Sequence, residues 1–118
     1  RFELRLMDGS ANPYLLQAGV LAAGLFGMNN KSDPGEPLTC NMYTDYKNYP
    51  NLSKLPNDLE SSLEKLDHNK NIRESFGDDV INSYIKLKNQ EIQSFNQEEV
   101  FDKKSSITDW EKKNTLDC

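Results

Sequence analysis

An almost uninterrupted apolar run from Tyr14 to Met28 constrains the fold of this 118-residue chain more than any other feature. Asn12 is suited to cap a helix, and Pro13 to occupy its first position, where a missing N–H costs nothing. Gln17 is the only strongly polar side chain in the run. A helix that is apolar nearly all round is buried in a soluble protein, so the sequence predicts a buried helix at 13–28.

Three glycines weaken this helix, at a cost of about 1 kcal/mol each relative to alanine. They are Gly19, Gly24 and Gly27. Close packing on neighbouring elements must offset that cost, and we expect most of those elements to lie outside this chain. The chain also opens at Arg1 directly in a strand pattern, without an initiator methionine. Both features lead us to expect a piece of a longer polypeptide.

Over residues 1–7 charged and apolar residues alternate, strictly so as far as Leu6. This period of two predicts a half-buried strand, with Phe2, Leu4 and Leu6 on one face and the charged residues on the other. Asp8-Gly9-Ser10 then ends the pattern with turn residues.

The remainder of the chain is predicted to be a loop followed by helices. Residues 29–56, rich in Asn, Asp, Pro and Gly, predict an irregular loop. Residues 57–96 carry helical periodicity, with Asn57 and Glu60 in a capping-box arrangement. Residues 97–118 form a charged tail, in which Thr108 and Glu111 indicate one more capped turn. The fold class expected is α+β, with one N-terminal strand followed mainly by α-helices.

Composition excludes several classes of partner and site. The net charge of −5, with no basic stripe, argues against binding to nucleic acid or to an anionic membrane. The apolar run is shorter than the ~20 residues that a membrane-spanning helix needs. Two separated cysteines, Cys40 and Cys118, and the single histidine His68 make no zinc pattern. Reduced thiols and a cytoplasmic location are expected.

The charges on the predicted strand are the candidates for chemistry, and two interpretations of them are open. Arg1, Glu3 and Arg5 can be a solvated strand face with ordinary ion pairs. Alternatively they line a cavity, where the carboxylate holds a divalent cation and the guanidiniums bind phosphate or carboxylate oxygens. The spacing alone is compatible with both.

A family resemblance favours the second interpretation. The chain is similar to the glutamine synthetases, in which an R-x-E-x-R strand leads through an acidic turn into A-N-P-Y and a buried helix rich in alanine and glycine. The residues that carry this resemblance are RFELRL at 1–6, DGSANPYL at 8–15, QA at 17–18 and AAGL at 22–25. Weaker likeness continues through NK at 30–31, PGEP at 34–37 and YIKLK at 84–88. The closing WE at 110–111 and LDC at 116–118 resemble the GlnT-type branch.

The resemblance implies roles for three residues. Glu3 corresponds to a metal ligand for the divalent cation that bridges the nucleotide phosphates. Arg5 corresponds to an arginine that binds glutamate and faces the transferred phosphoryl group, and Arg1 to an arginine near the phosphates. The resemblance further implies a C-terminal part of the family's catalytic domain, whose other metal ligands lie outside residues 1–118.

The function implied is that of a ligase that makes glutamine from glutamate and ammonia with ATP and Mg or Mn, through γ-glutamyl phosphate, in homo-oligomeric rings. The 118 residues alone are expected to be inactive and to bind no cofactor. Two alternatives stay open: a γ-glutamyl ligase that uses methylamine or a polyamine, and a non-catalytic helical module for assembly.

Two further residues were weighed as functional candidates. Tyr43 lies where the enterobacterial synthetases carry a tyrosine modified by AMP, but Thr44-Asp45-Tyr46 after it does not match that pattern. A loop tyrosine without modification is the favoured interpretation. His68, between Asp67 and Asn69, is interpreted as a surface residue and not a ligand.

Overall fold

The computed structural model of the chain describes residues 3–98 and 107–115. Six α-helices occur in these two ranges: α1 Pro13–Asn29, α2 Met42–Asp45, α3 Leu59–Asp67, α4 Lys70–Phe76, α5 Asp78–Glu98 and α6 Asp109–Asn114. A short 3₁₀ helix, Tyr46–Asn48, follows α2. Helix α3 packs on α5, and α4 lies against both α5 and α1. No helix within the described ranges is both long and apolar enough to cross a lipid bilayer.

Helix α1 begins where the sequence predicts. The side chain of Asn12 accepts hydrogen bonds from the backbone N–H groups of Tyr14 and Leu15, and Pro13 occupies the first turn. The helix ends at Asn29 and is capped by Asn30, whose backbone N–H donates to the carbonyl of Phe26. The local signals for this helix therefore set where it begins.

The predicted strand at residues 1–7 is not confirmed. Residues 3–6 are irregular and exposed, and Arg1 and Phe2 lie outside the described residues. A strand needs a second strand to satisfy its backbone N–H and C=O groups. Neither described range contains any strand. The described part of the chain is therefore mainly helical, and the expected α+β class is not observed in it.

The predicted loop at 29–56 is only partly irregular, because α2 and the 3₁₀ helix interrupt it. Asn41 caps α2 by accepting from the backbone N–H of Tyr43 at 3.1 Å, and its own N–H donates to the carboxylate of Asp45. These are two short-range polar contacts that form one turn. Sequence periodicity cannot detect a helix of four residues.

The predicted helical stretch at 57–96 is resolved into α3, α4 and α5, with one correction to its start. Asp58 caps α3, accepting from the backbone N–H of Ser61 at 2.7 Å, so Asn57 is not the N-cap. Gly77 alone joins α4 to α5 and has a φ of 84°, a left-handed value that favours glycine. The tail contains α6 with the predicted capping box between Thr108 and Glu111.

Helices α3 to α5, residues 59–98, form what we call the packed unit. Leu63 on α3 and Ile81 on α5 are each 5% exposed and are the buried hydrophobic residues of the described ranges. Arg73 on α4 ties the unit together through its guanidinium. It donates to the carboxylate and backbone carbonyl of Asp67, and to Asp78 at 2.7 Å and Asn82 at 3.0 Å. The end of α3 and the start of α5 are thus held by one side chain.

Helix α6 lies against the C-terminal half of α5. The indole of Trp110 meets the ring of Phe95 edge to face, with centroids 5.5 Å apart, and donates to the hydroxyl of Ser94 at 3.0 Å. An edge-to-face pair with a satisfied indole N–H is a favourable aromatic contact. The tail of the chain is thereby connected to the packed unit.

The chain as a whole exposes far more surface than a closed domain of its size. Its accessible surface is 10654 Å², whereas a compact protein of 13.5 kDa exposes about 6,500 Å². Its radius of gyration is 17.1 Å, against about 13.5 Å for a compact domain of this length. Two buried side chains are a small core for the part of the chain that the structure describes.

Candidate active site

The candidate site lies in the segment that leads into α1. The guanidinium Nε of Arg5 donates to Oε1 of Glu3 at 2.5 Å, so the two predicted site residues meet directly. Both are exposed, with 85% of the Arg5 side chain and 59% of the Glu3 side chain accessible to solvent. Arg1, the third candidate, is outside the described residues.

A polar turn connects this pair to α1. The carboxylate of Asp8 accepts from the backbone N–H of Ser10 at 2.7 Å and from its hydroxyl at 2.6 Å. The hydrogen bond from the Ser10 hydroxyl has the larger effect and that from the Ser10 backbone N–H the smaller, and both lower the pKa of Asp8 below its ordinary value. The backbone N–H of Ala11 closes the turn on the carbonyl of Asp8, and Asn12 then caps α1. The start of α1 is therefore fixed relative to the turn by hydrogen bonds.

The Glu3–Arg5 pair is weakly held in this arrangement. Exposed ion pairs contribute about 0–1 kcal/mol, because water screens the charges and two long side chains must be ordered. Each of the two side chains can therefore leave the pair and bind a stronger partner at a low cost in free energy. A carboxylate offers oxygen ligands to a hard cation, and a guanidinium offers a planar set of donors to phosphate or carboxylate oxygens.

A divalent cation fits these residues only in part. Magnesium prefers near-octahedral oxygen coordination, and Glu3 supplies one carboxylate. No group of three or more potential metal-ligating side chains occurs among the residues that the structure describes. Glu3 suits a cation as a single ligand, in a site that other residues would have to complete.

Comparison with known proteins assigns the chain to a family. The profile of the glutamine synthetase catalytic domain matches residues 1–113. The chain belongs to the glutamine synthetase family. It is 39% identical over 117 residues to the glutamine synthetase of Rhizobium meliloti, covering 99% of this chain and 25% of that relative. No solved structure matches it.

The chain covers a similar share of the length of relatives with lower identity. The glutamine synthetase of Methanococcus maripaludis is 31% identical over 119 residues, covering 98% of this chain and 25% of that protein. The γ-glutamylethanolamide synthetase of Streptomyces coelicolor is 32% identical over 111 residues, covering 94% of this chain and 21% of that protein. The chain thus spans about a quarter of the length of the curated relatives that it matches.

Two other sequence candidates are placed by the structure away from Glu3 and Arg5 in the chain. Tyr43 is 96% exposed in the first turn of α2. Close by, a hydrogen bond with Cys40 raises the pKa of Tyr49, and the thiol of Cys40 lies 3.6 Å from the sulfur of Met42. His68 is exposed at the end of α3, with its Nδ1 2.8 Å from the carbonyl oxygen of Glu64. Cys118 lies outside the described residues.

Sequence reasoning missed the polar network around Arg73, which is the best-connected charged side chain of the described residues. Its partners stand six residues before it, five after it and nine after it in the chain. Helical spacing rules pair residues three or four apart and cannot find such partners. The usable signal is an arginine on a short helix, with one aspartate at the end of the preceding helix and another at the start of the following helix.

Proposed function

We propose that this chain contributes Glu3, Arg5 and Arg1 to the active site of an ATP-dependent ligase that forms glutamine from glutamate and ammonia. Membership of the glutamine synthetase family across residues 1–113 carries the proposal, because that match includes all three residues. Direct contact between Glu3 and Arg5 supports it, since a metal ligand and a phosphate-binding arginine act at adjacent oxygens. The complete enzyme would be a cytoplasmic homo-oligomer.

The chemistry requires the γ-carboxylate of glutamate to be phosphorylated and then attacked by ammonia. Arg5 would bind a carboxylate or phosphoryl oxygen of the reacting group with its guanidinium, which stays charged at any physiological pH. Because negative charge on these oxygens changes as the phosphoryl group is transferred, a fixed cation next to them stabilises the transition state. Arg1 would act on the neighbouring phosphates in the same way.

Glu3 would hold Mg or Mn together with ligands from outside residues 1–118. A divalent cation bound there would neutralise charge on the phosphate oxygens of ATP. Glu3 itself would orient that charge toward the substrate. Breaking its exposed ion pair with Arg5 would leave each residue free for its own ligand. The 118 residues alone are proposed to be inactive, because they provide only part of this machinery.

The test uses a complete protein. In a chimera, residues 1–118 replace the aligned region of the Rhizobium meliloti glutamine synthetase. We expect Glu3→Ala and Arg5→Ala each to lower kcat/KM by about 100-fold or more, the size of effect seen when one transition-state donor is lost. Glu3→Ala should also raise the concentration of Mg required, whereas Arg5→Ala should raise the KM for glutamate and lower kcat.

Lys86→Ala is the matched control, because Lys86 is an exposed charged residue on α5. A solvated ion pair without a catalytic role predicts near-normal turnover in all three variants. That result, with circular dichroism showing folded protein, would reject the proposed roles of Glu3 and Arg5. The unsubstituted chimera could instead make γ-glutamyl products only from methylamine, ethanolamine or a polyamine. That result would change the proposed amine substrate but not the roles of Glu3 and Arg5, because both residues serve either reaction.

A further inference from the structure

The turn between the candidate site and α1 contains the single Asp-Gly step of the sequence, Asp8-Gly9. At such a step the backbone nitrogen of the glycine can attack the side-chain carboxyl carbon of the aspartate, because no Cβ of the glycine shields that nitrogen. A nitrogen–carbon bond forms, one carboxyl oxygen leaves as water, and a five-membered succinimide results. A second water molecule then opens the ring at either carbonyl, which gives aspartate or isoaspartate.

The fold leaves both reacting groups of this step accessible. Asp8, Gly9 and Ser10 are all exposed. A Cβ placed on Gly9 would meet no atom within 4 Å, so the surroundings of its backbone nitrogen are open. Within the described ranges, no acceptor binds the backbone N–H of Gly9. The nucleophile is therefore neither covered nor held by a hydrogen bond.

Ser10 acts on the other partner, the carboxyl group of Asp8. Oδ1 of Asp8 accepts from the Ser10 hydroxyl at 2.6 Å and from the Ser10 backbone N–H at 2.7 Å. Both bonds must be strained or broken before the carboxyl carbon can meet the nitrogen of Gly9 and lose an oxygen. The hydroxyl first, and then the N–H, lower the pKa of Asp8 and so keep its carboxyl ionised. An ionised carboxylate is a poorer electrophile than the neutral acid.

We propose that Asp8 is a site of spontaneous modification, at which aspartate is converted to isoaspartate through a succinimide, and that the hydrogen bonds from Ser10 slow this conversion. The reaction consumes one water molecule and releases one, and it requires no oxidant, reductant or other protein. It belongs to this turn whatever reaction the complete enzyme catalyses.

The modification would alter the link between the candidate site and α1. In isoaspartate the main chain runs through the former side chain, which adds one carbon atom to the backbone at residue 8. The hydrogen bond from the N–H of Ala11 to the carbonyl of Asp8, 3.2 Å long, then loses its geometry. Glu3 and Arg5 would consequently be displaced relative to the cap of α1.

The experiment measures isoaspartate in the 118-residue chain during incubation in native buffer. The chain is digested, and the two isomers of the peptide that contains residue 8 are separated by chromatography and quantified by mass spectrometry. Ser10→Ala removes the hydroxyl but keeps the backbone N–H that also binds Asp8. We expect isoaspartate to form about threefold to tenfold faster in this variant, the factor that corresponds to the loss of one hydrogen bond.

Gly9→Ala is the matched control. Gly9 does not have the left-handed φ of Gly35 and Gly77, and a Cβ at this position has open space around it. The substitution should therefore keep the turn, whereas the added Cβ shields the backbone nitrogen. Isoaspartate should form several-fold more slowly than in the unsubstituted chain. Circular dichroism confirms that the helices of both variants are intact.

Incubation in concentrated urea separates the turn from the sequence. Since urea unfolds the turn, the unsubstituted chain and Ser10→Ala should form isoaspartate at equal rates, and faster than the folded unsubstituted chain. A folded Ser10→Ala chain that reacts no faster than the unsubstituted chain would overturn the protective role of Ser10, as would an equal acceleration by Ser10→Ala in urea. No isoaspartate at residue 8 in any folded chain would reject the site itself.

Discussion

The packed unit and the amino-terminal region, residues 3–29, differ in how they are stabilised. The packed unit has both buried side chains, Leu63 and Ile81, and the Arg73 network that joins its three helices. The amino-terminal region has local hydrogen bonds at Asp8 and Asn12, but its apolar residues are half or fully exposed. Local signals thus set where α1 begins, whereas burial depends on which neighbours are present.

The largest expected contrast between the two regions comes from leucine-to-alanine substitutions in the isolated chain. Leu63→Ala should lower the free energy of unfolding by about 2–5 kcal/mol, because it removes a buried side chain and leaves a cavity. Leu21→Ala, at a residue of α1 that is 66% exposed, should change it by no more than about 0.5 kcal/mol. Urea unfolding followed by circular dichroism measures both. Equal losses would mean that α1 is packed as tightly as α3.

Replacing Arg73 should weaken the packed unit by a smaller amount. Hydrogen bonds to Asp78 and Asp67 raise the pKa of Arg73, in accord with a guanidinium that is fixed between two carboxylates. Arg73→Lys keeps the charge but loses the planar set of donors that reaches Asp67, Asp78 and Asn82 together. We expect a lower urea midpoint with little change in residues 3–29. Lys112→Arg, at an exposed pair with Asp109, is the control and should have no effect.

The smallest expected effects are those of acid on two turns, one in each region. Hydrogen bonds from Ser61 lower the pKa of Asp58 at the start of α3, as those from Ser10 lower the pKa of Asp8. A carboxylate whose pKa is lowered by folding stabilises the fold above its unfolded pKa. That stabilisation is lost as the pH falls through the lowered value, below about pH 4.

Asparagine variants test this, because Asn keeps the accepting oxygen but does not titrate. Asp58→Asn should reduce the loss of helix signal between about pH 4 and pH 2, since α3 belongs to the packed unit. Asp8→Asn should leave the overall helix signal unchanged and alter only nuclear magnetic resonance shifts near Ser10. An unchanged acid transition in Asp58→Asn would show that the cap does not contribute to it.

Parts of the fold could be predicted because their causes are local. Asn12 with Pro13 and Thr108 with Glu111 are both short-range helix signals, and each of the two helices begins where its signal lies. The exception was Asn57, since the adjacent Asp58 offers the same kind of oxygen to the same helix end. One-residue errors of this type are expected wherever two capping residues are adjacent.

Other features depend on contacts that periodicity does not encode. The alternation at residues 1–7 is a property of side chains, whereas a strand also requires a partner for its backbone, which the described residues do not supply. The Arg73 network depends on how three helices are arranged in space. For the candidate site, the sequence alone placed Glu3 and Arg5 on one face of the predicted strand. In the structure the two side chains are in contact. Their roles came from the family resemblance and stay a prediction.

Hydrogen exchange on the isolated 118-residue chain tests the contrast between the two regions most directly. Amides of α5 around Ile81 should exchange at least about tenfold more slowly than amides in the middle of α1. The core stabilises α5, whereas Leu21 and Leu25 of α1 are exposed to water. The protein is diluted until its exchange rates no longer depend on concentration. This excludes protection of the amides by self-association. Protection of α1 equal to or greater than that of α5 under these conditions would contradict the account.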